Sequence, residues 1–181
     1  MTIGLIGAGA MGGAIGARLL ATGTALKVFD LDAERLVPLT AQGATAAASA
    51  ADAARGSSAV ILSLNMPKIV RAAVFGPSGI AEGASPGLLI IDMSSIDPAA
   101  TGQLTLMQGG AEGDVLEAQR VLAKVASNQT HMGPAGTGQT TKIINQVLCG
   151  LGFMAVAEAT ALAEAAGVTL ERIPAALKGG R

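Results

Sequence analysis

The chain has 181 residues, half of them apolar, with 12 basic and 13 acidic side chains and a net charge of −1. That length holds one full domain with its own core plus an appendage, and the near-neutral balance leaves no basic patch, which argues against nucleic acid as a partner. A single cysteine, Cys149, excludes a disulfide framework and fits a reducing cytoplasm.

Thr2–Ile6 reads as a buried first strand, and the residues after it, Gly7-Ala8-Gly9-Ala10-Met11-Gly12, as a glycine turn opening a helix. In a G-x-G-x-x-G turn the first glycine makes the tight turn and the second admits a pyrophosphate. The third lets helix pack close to strand. Helix N–H groups and the positive end of the helix dipole then hold phosphates. The helix is expected over Met11–Ala21 with Gly23 as its C-cap. Leu26–Phe29 forms a second strand ending on Asp30, 18 residues beyond Gly12. An acid there accepts hydrogen bonds from ribose hydroxyls and repels a 2′-phosphate, which selects NAD over NADP. The plainer role for Asp30 is a helix cap, shared with Asp32.

A helix follows from about Ala33, bent or ended by Pro38. Gly43–Ala46, Ser58–Leu64 and Leu88–Ile91 are the third, fourth and fifth strands. Strands alternating with helices predict a Rossmann-type α/β fold, a doubly wound and mostly parallel sheet. Ligands in such sheets lie beyond the carboxyl ends of the strands, which here means Gly7–Gly12, Asp30, Leu64-Asn65-Met66-Pro67 and Met93-Ser94-Ser95. With the first strand starting at Thr2, no leader is expected.

The pattern then changes. Asp97-Pro98 announces a helix that Gly102 stops within about one turn. Gln103–Met107 reads as a strand, Glu112–Val125 as an amphipathic helix with Val115, Ala118, Leu122 and Val125 on one face, and Thr130–Met132 as a short strand. From about Gln139 to Ala166 runs a helix roughly 42 Å long, apolar almost all round beyond its first two turns. Such a helix needs burial, and a sheet covers only one side, so residues 139–166 are expected to join a homodimer or higher homo-oligomer. Its longest apolar run, Val147–Val156, is about half a membrane span. Leu170–Leu177 forms a last short helix. The division expected is 1–136 for the NAD-binding domain and 137–181 for the long helix and the start of a helical domain.

Composition narrows the chemistry. The chain has no Tyr and no Trp, and His131 is its only histidine. Hydride transfer at a carbonyl needs a proton for the oxygen. A Tyr–Lys pair is excluded, a Cys/His zinc site nearly so, and no metal is expected. His131, a carboxylic acid or a lysine remains. Lys142 stands out because a cation at the start of a helix opposes the helix dipole, a local rule broken without evident compensation. Asn145 lies one turn on along the same face, with Gln146 beside it. The plainer readings are a solvated lysine at a helix start and, for His131 beside a glycine turn, a structural histidine.

Three stretches, Gly4–Gly13 with Met11, Ile90-Ile91-Asp92-Met93-Ser94-Ser95, and Gly133-x-x-Gly136-x-Gly138-x-x-x-Lys142-x-x-Asn145-Gln146, resemble the β-hydroxyacid dehydrogenase family in that order. The resemblance implies an NAD-dependent oxidoreductase acting on a small 3-hydroxyacid or 2-hydroxy-3-oxo acid, with Lys142 as the catalytic lysine. It implies that Asn145 and Gln146 contact substrate, and that Gly7, Ala8, Gly9, Ala10, Met11, Gly12, Asp30, Leu64, Asn65 and Ser95 line the cofactor site. Members carry a further helix and strand, about thirty residues, after the Asp-Met-Ser-Ser stretch, ending in Asp-x-Pro-Val-Ser-Gly-Gly. Here Thr101 runs directly into Gly102. Members also continue into an all-helical domain beyond Arg181. The ten or so residues between the fifth strand and Gln103 are too few for a parallel crossover, so Gln103–Met107 is expected antiparallel to a neighbour such as strand five. Three readings follow: the dehydrogenase, a non-catalytic dinucleotide-binding module, and an interaction protein that dimerises through residues 139–166.

Overall fold

The computed structural model describes residues 1–94 and 104–178. Ser95, the Asp97-Pro98 helix start and Gln103 lie outside the described residues. Five parallel strands make the main sheet: β1 (Thr2–Ile6), β2 (Ala25–Phe29), β3 (Thr45–Ala46), β4 (Ala59–Leu62) and β5 (Leu89–Asp92), in the order β3-β2-β1-β4-β5. The order reverses between β1 and β4, so the crevice at their carboxyl ends is the switch point where doubly wound sheets bind ligands. Central β1 is apolar because both its faces are covered: Leu5 is buried in the core on one face and Ile6 in the core on the other.

The helices between the strands are α1 (Ala10–Ala21), α2 (Val37–Thr40), α3 (Ala50–Ala54), α4 (Pro67–Phe75) and α5 (Ile80–Gly83). α1 buries Met11, Ile15 and Leu19 against the sheet, an i, i+4 stripe. Its chain reverses at Gly23, in the left-handed region at φ 73°. Pro38 does not end a helix; it sits in the first turn of α2, after a 3-10 turn at Ala33–Leu36. Its missing N–H is harmless there.

A second, two-stranded sheet pairs β6 (Leu104–Gly109) with β7 (Ala126–Gly133), and α6 (Glu112–Leu122) lies between them in the chain. The pairing is parallel, which corrects the antiparallel expectation. A strand takes its direction from whichever crossover is long enough. The segment from Gly110 to Val125, carrying α6, is such a crossover, and it makes β7 rather than β5 the partner of β6. β7 is also longer than Thr130–Met132. Ladder pairing with β6 recruits Asn128 and Gln129, residue types with little strand preference of their own, and Ser127 falls at a register shift between them and Ala126. Leu104, Leu106, Leu122 and Val125 share one apolar cluster with Ile91 and Met93, so the two sheets pack as one body.

α7 (Thr137–Ala165) begins against β6 and β7 and then leaves them. Only Gly138 and Ala163 are buried along it. Leu148 is 65% and Phe153 77% exposed, so neither side has the cover its composition predicts. An 18-residue window of α7 averages a hydropathy of 1.5, which makes the helix long and apolar enough to cross a membrane by length and composition. A 3-10 turn (Leu170–Arg172) and α8 (Ile173–Leu177) close the described chain.

Candidate functional site

The glycine turn forms because its backbone needs what glycine alone gives. Gly7 sits at φ +93°, a region L side chains rarely adopt. At Gly12 a Cβ would run into the carbonyl group of Gly7, with the carbonyl carbon at 2.9 Å. This spacing brings the first turn of α1 hard against the end of β1. No side chain caps α1 at Gly9, so N–H groups of its first turn face the crevice without a side-chain partner. A phosphate is the ligand such a terminus suits.

Asp30 is placed by β2 next to this turn. Its Oδ2 accepts the Ala8 N–H at 2.7 Å and its Oδ1 accepts the Asp32 N–H at 2.9 Å. It therefore ties the glycine turn to the end of β2, and Asp32 takes the cap role by accepting the Glu34 N–H at 3.1 Å. Each Asp30 oxygen keeps a further lone pair for a ligand hydroxyl.

Gly7, Gly9, Ala10, Met11, Asp30, Leu64 and Asn65 line one cavity of about 810 Å³. That size suits a cofactor. Ala8 and Gly12 lie behind its wall, where Ala8 binds Asp30 and Gly12 admits the helix. The backbone cradle, the uncapped helix end and the acid fit a dinucleotide. Leu64 is fixed through its N–H, which donates to the Oγ of buried Ser94 at 3.1 Å.

One charged residue at this cavity escaped the sequence reading. Arg35 lines it, with Nε 3.2 Å from Asp32 and Nη1 3.9 Å from Asp30. Its signal is the Asp32-x-x-Arg35 spacing, which on a 3-10 turn folds the guanidinium back over the glycine turn. Met93, expected at the carboxyl end of the fifth strand, lines the cavity too.

Lys142 lies elsewhere. α7 starts at Thr137, two residues before the expected position, which puts Lys142 in its second turn. It lines a second cavity of about 630 Å³ between β5 and β6. Met93 borders both cavities. The Gln139 side chain donates to the Ser94 carbonyl at 3.2 Å, fastening the root of α7 to the end of β5. Asn145 is half-buried and Gln146 exposed, and neither lines either cavity. His131 points elsewhere, with Nε2 3.0 Å from the Gly110 carbonyl and 2.9 Å from that of Gly133. It holds the ends of β6 and β7 together, a structural part. Among the described residues no cluster suited to a metal ion occurs.

Residues 2–101 match a family model described as the NAD binding domain of 6-phosphogluconate dehydrogenase. Residues 136–181 match one described as the NAD-binding of NADP-dependent 3-hydroxyisobutyrate dehydrogenase. The chain is 30% identical to a probable mitochondrial 3-hydroxyisobutyrate dehydrogenase of Dictyostelium discoideum over 200 positions, covering 95% of this chain and 62% of that one. It is 34% identical to the 3-sulfolactaldehyde reductase of Escherichia coli over 191 positions, covering 90% and 64%. The chain thus spans somewhat under two thirds of the length of these relatives. As 95% of 181 residues is about 172, some 28 of the 200 positions have no residue here. The Escherichia coli alignment gives the same figure, 191 positions against about 163 residues. The crystal structure of 3-hydroxyisobutyrate dehydrogenase from Mycobacterium tuberculosis superposes with a TM-score of 0.89 at 26% identity, covering 99% of this chain and 70% of that one. Glycine turn, strand order, root of α7 and these alignments agree: the chain belongs to the β-hydroxyacid dehydrogenase family.

Proposed function

We propose that the chain binds NAD in the glycine-turn cavity and serves hydride transfer between NAD and a small 3-hydroxyacid or 2-hydroxy-3-oxo acid, with Lys142 as proton donor. The observation that carries this reading is the meeting of the two cavities at Met93. A lysine and a dinucleotide cradle on the two sides of one side chain are what a carbonyl needs to meet both partners. When bound, the nicotinamide supplies or takes the hydride at the substrate carbon. Lys142 moves the balancing proton. In reduction its ammonium protonates the carbonyl oxygen and becomes a neutral amine; in oxidation the amine takes the hydroxyl proton back.

Asp30 offers its free lone pairs to the ribose hydroxyls, and its charge opposes a 2′-phosphate, which favours NAD. Arg35 stands at the same rim, but Asp32 holds its guanidinium at 3.2 Å. Ser95 completes the cofactor site, and Asn145 with Gln146 takes the substrate oxygens. Residues 1–136 then act as the cofactor domain and 137–181 as the connection to a helical one. The apolar surface of residues 139–166 supports a homodimer, and the lone Cys149 fits a cytoplasmic enzyme.

A second reading, a dinucleotide-binding module without turnover, is favoured by the opening between β5 and β6. Catalysis at a carbonyl needs water kept out, and Lys142 borders that opening. Fluorescence titration with NADH and NADPH, followed by a panel of small 3-hydroxyacids with Lys142→Ala as control, separates the two. Turnover lost in Lys142→Ala with NADH binding retained supports the enzyme. NADH binding with no turnover on any substrate leaves the module, and no binding of either cofactor removes both.

A further inference from the structure

A hydroxyl is costly to bury unless it is bonded, so a buried serine marks a bond that the fold uses. Among the described residues the buried polar side chains are Thr24, Ser57 and Ser94. Ser57 donates locally, to the Ala53 carbonyl at 2.7 Å, and Thr24 receives the Lys124 ammonium at 2.7 Å. Ser94 differs, because it joins segments that carry the two halves of the site. Its Oγ accepts the Leu64 N–H at 3.1 Å, across 30 positions of chain, and Leu64 lines the glycine-turn cavity. Its carbonyl accepts Nε2 of Gln139 at 3.2 Å, across 45 positions, at the root of α7. Its own N–H donates to Asp92 Oδ1 at 3.0 Å, which steadies the backbone between those two bonds. Gln139 and Lys142 are three positions apart on α7, share a face and both line the second cavity. Among the described residues, the Gln139–Ser94 hydrogen bond is the one that joins α7 to residues 1–94.

We infer that Ser94 is a positioning residue, which sets where Lys142 stands relative to the cofactor by tying the cavity wall and the root of α7 to one buried backbone unit. The role rests on NAD in the glycine-turn cavity and on Lys142 as proton donor, as proposed above. Proton transfer needs its heavy atoms within about 2.6–3.2 Å, and a misplacement of about 1 Å costs about a hundredfold in rate. The ladder between β4 and β5 ends where the Met93 N–H donates to the Leu62 carbonyl at 2.9 Å. One step beyond, the Ser94 hydroxyl takes over as acceptor for Leu64, so the fastening continues past the last ladder bond. α7 needs such a reference. No side chain caps its first turn, and the chain enters it through Gly136 at φ 94°. Gly138 packs so close to the backbone of Met107 and Gly109 that a Cβ would overlap it. That contact refers Lys142 to the second sheet, and the Ser94 bond refers it to the first, where the cofactor cavity lies. The apolar cluster shared by the two sheets holds them together without direction, whereas a hydrogen bond fixes distance and angle.

The test uses the full chain with its lysines reductively methylated by labelled formaldehyde and followed by NMR, the Lys142 signal being the one lost in Lys142→Ala. NADH is titrated into the unsubstituted chain, into Ser94→Ala and into Gln139→Met. Gln139 is exposed, so Gln139→Met cuts the second bond without touching the core and decides the question even where Ser94→Ala fails to fold. In the unsubstituted chain NADH moves the Lys142 signal. In both variants the movement at saturation shrinks to about half or less, while the NADH dissociation constant stays within about threefold and circular dichroism is unchanged. Movement of full size in either folded variant overturns the positioning role and leaves the assignments of NAD and Lys142 standing. NADH affinity that falls by about tenfold or more in both variants overturns it in favour of a plain part of the cofactor wall. A Lys142 signal that NADH leaves unmoved in the unsubstituted chain overturns the reading of Lys142 itself, and the positioning role with it.

Discussion

Gly12→Ala tests the glycine turn at its tightest point. The new methyl meets the Gly7 carbonyl carbon at 2.9 Å, where ordinary contact begins at 3.4 Å, and the Ser63 Cβ at 3.3 Å. The carbon alone demands at least about 0.5 Å of movement, the oxygen bonded to it demands more, and the obstacle is backbone that has no rotamer to change. Overpacking of this kind costs roughly 1–3 kcal/mol, and fixed backbone puts the cost at about 3. The helix gains about 1 kcal/mol when glycine becomes alanine. The net loss is about 2 kcal/mol, and at roughly 2–4 °C per kcal/mol for a chain of this size the melting point falls by about 4–8 °C. Gly13→Ala is the matched control. Its methyl finds only the Ala8 carbonyl oxygen at 3.5 Å, so the helix gain stands alone and Tm rises by about 2–4 °C. Thermal unfolding by circular dichroism reads both. In NADH titration Gly12→Ala weakens binding about tenfold or more, since the displaced turn carries the free N–H groups, a change of about 1.4 kcal/mol. Gly13→Ala leaves binding within about twofold, below roughly 0.5 kcal/mol. If the two substitutions shift Tm in the same direction, the close-packing account of the turn is wrong.

Asp30→Ala strands the Ala8 N–H, in a residue only 6% exposed. It is expected to destabilise by about 1–3 kcal/mol and to erase any preference for NADH over NADPH, measured by chemical denaturation and paired titrations. Arg35→Ala lowers NADPH affinity several-fold more than NADH affinity, because the guanidinium stands beside Asp30, where a 2′-phosphate would add charge; an equal loss for both cofactors counts against this. Cys149 is exposed on α7, so it reacts with a maleimide at the rate of a free thiol in dilute protein. Slower labelling as concentration rises reports burial of the helix between copies, and a constant rate excludes it.

The half of the fold around the glycine turn was legible because its signals are local. Gly7, Gly9, Gly12 and Asp30 each answer a constraint set within one βαβ unit, and the strands that follow are short apolar runs with turn residues between them. Asp30 itself took its true role only in three dimensions, where the Ala8 N–H reaches it across 22 positions of chain. Arg35 was hidden for the same reason, since its place depends on how one 3-10 turn folds back. The direction of β6 is set by the α6 crossover that follows it, not by the short segment that precedes it. The polar residues of β7 carry no strand signal, as pairing alone makes them a strand. The composition of α7 calls for burial, whereas the structure leaves the helix exposed, and composition does not say which molecule would cover it.

The position of Lys142 on α7 has a mechanical consequence. α7 is a rod of about 43 Å held at one end, by β6, β7 and the Gln139–Ser94 bond. Whatever grips its free length turns it about that fixed end as a lever. A tilt of about 5° carries Ala165 through nearly 4 Å, while Lys142, about 7 Å from the pivot, moves by only about 0.6 Å. A side chain near the fulcrum is thereby shielded from loads at the tip, so the helix can be seized far out while Lys142 keeps its place at the second cavity.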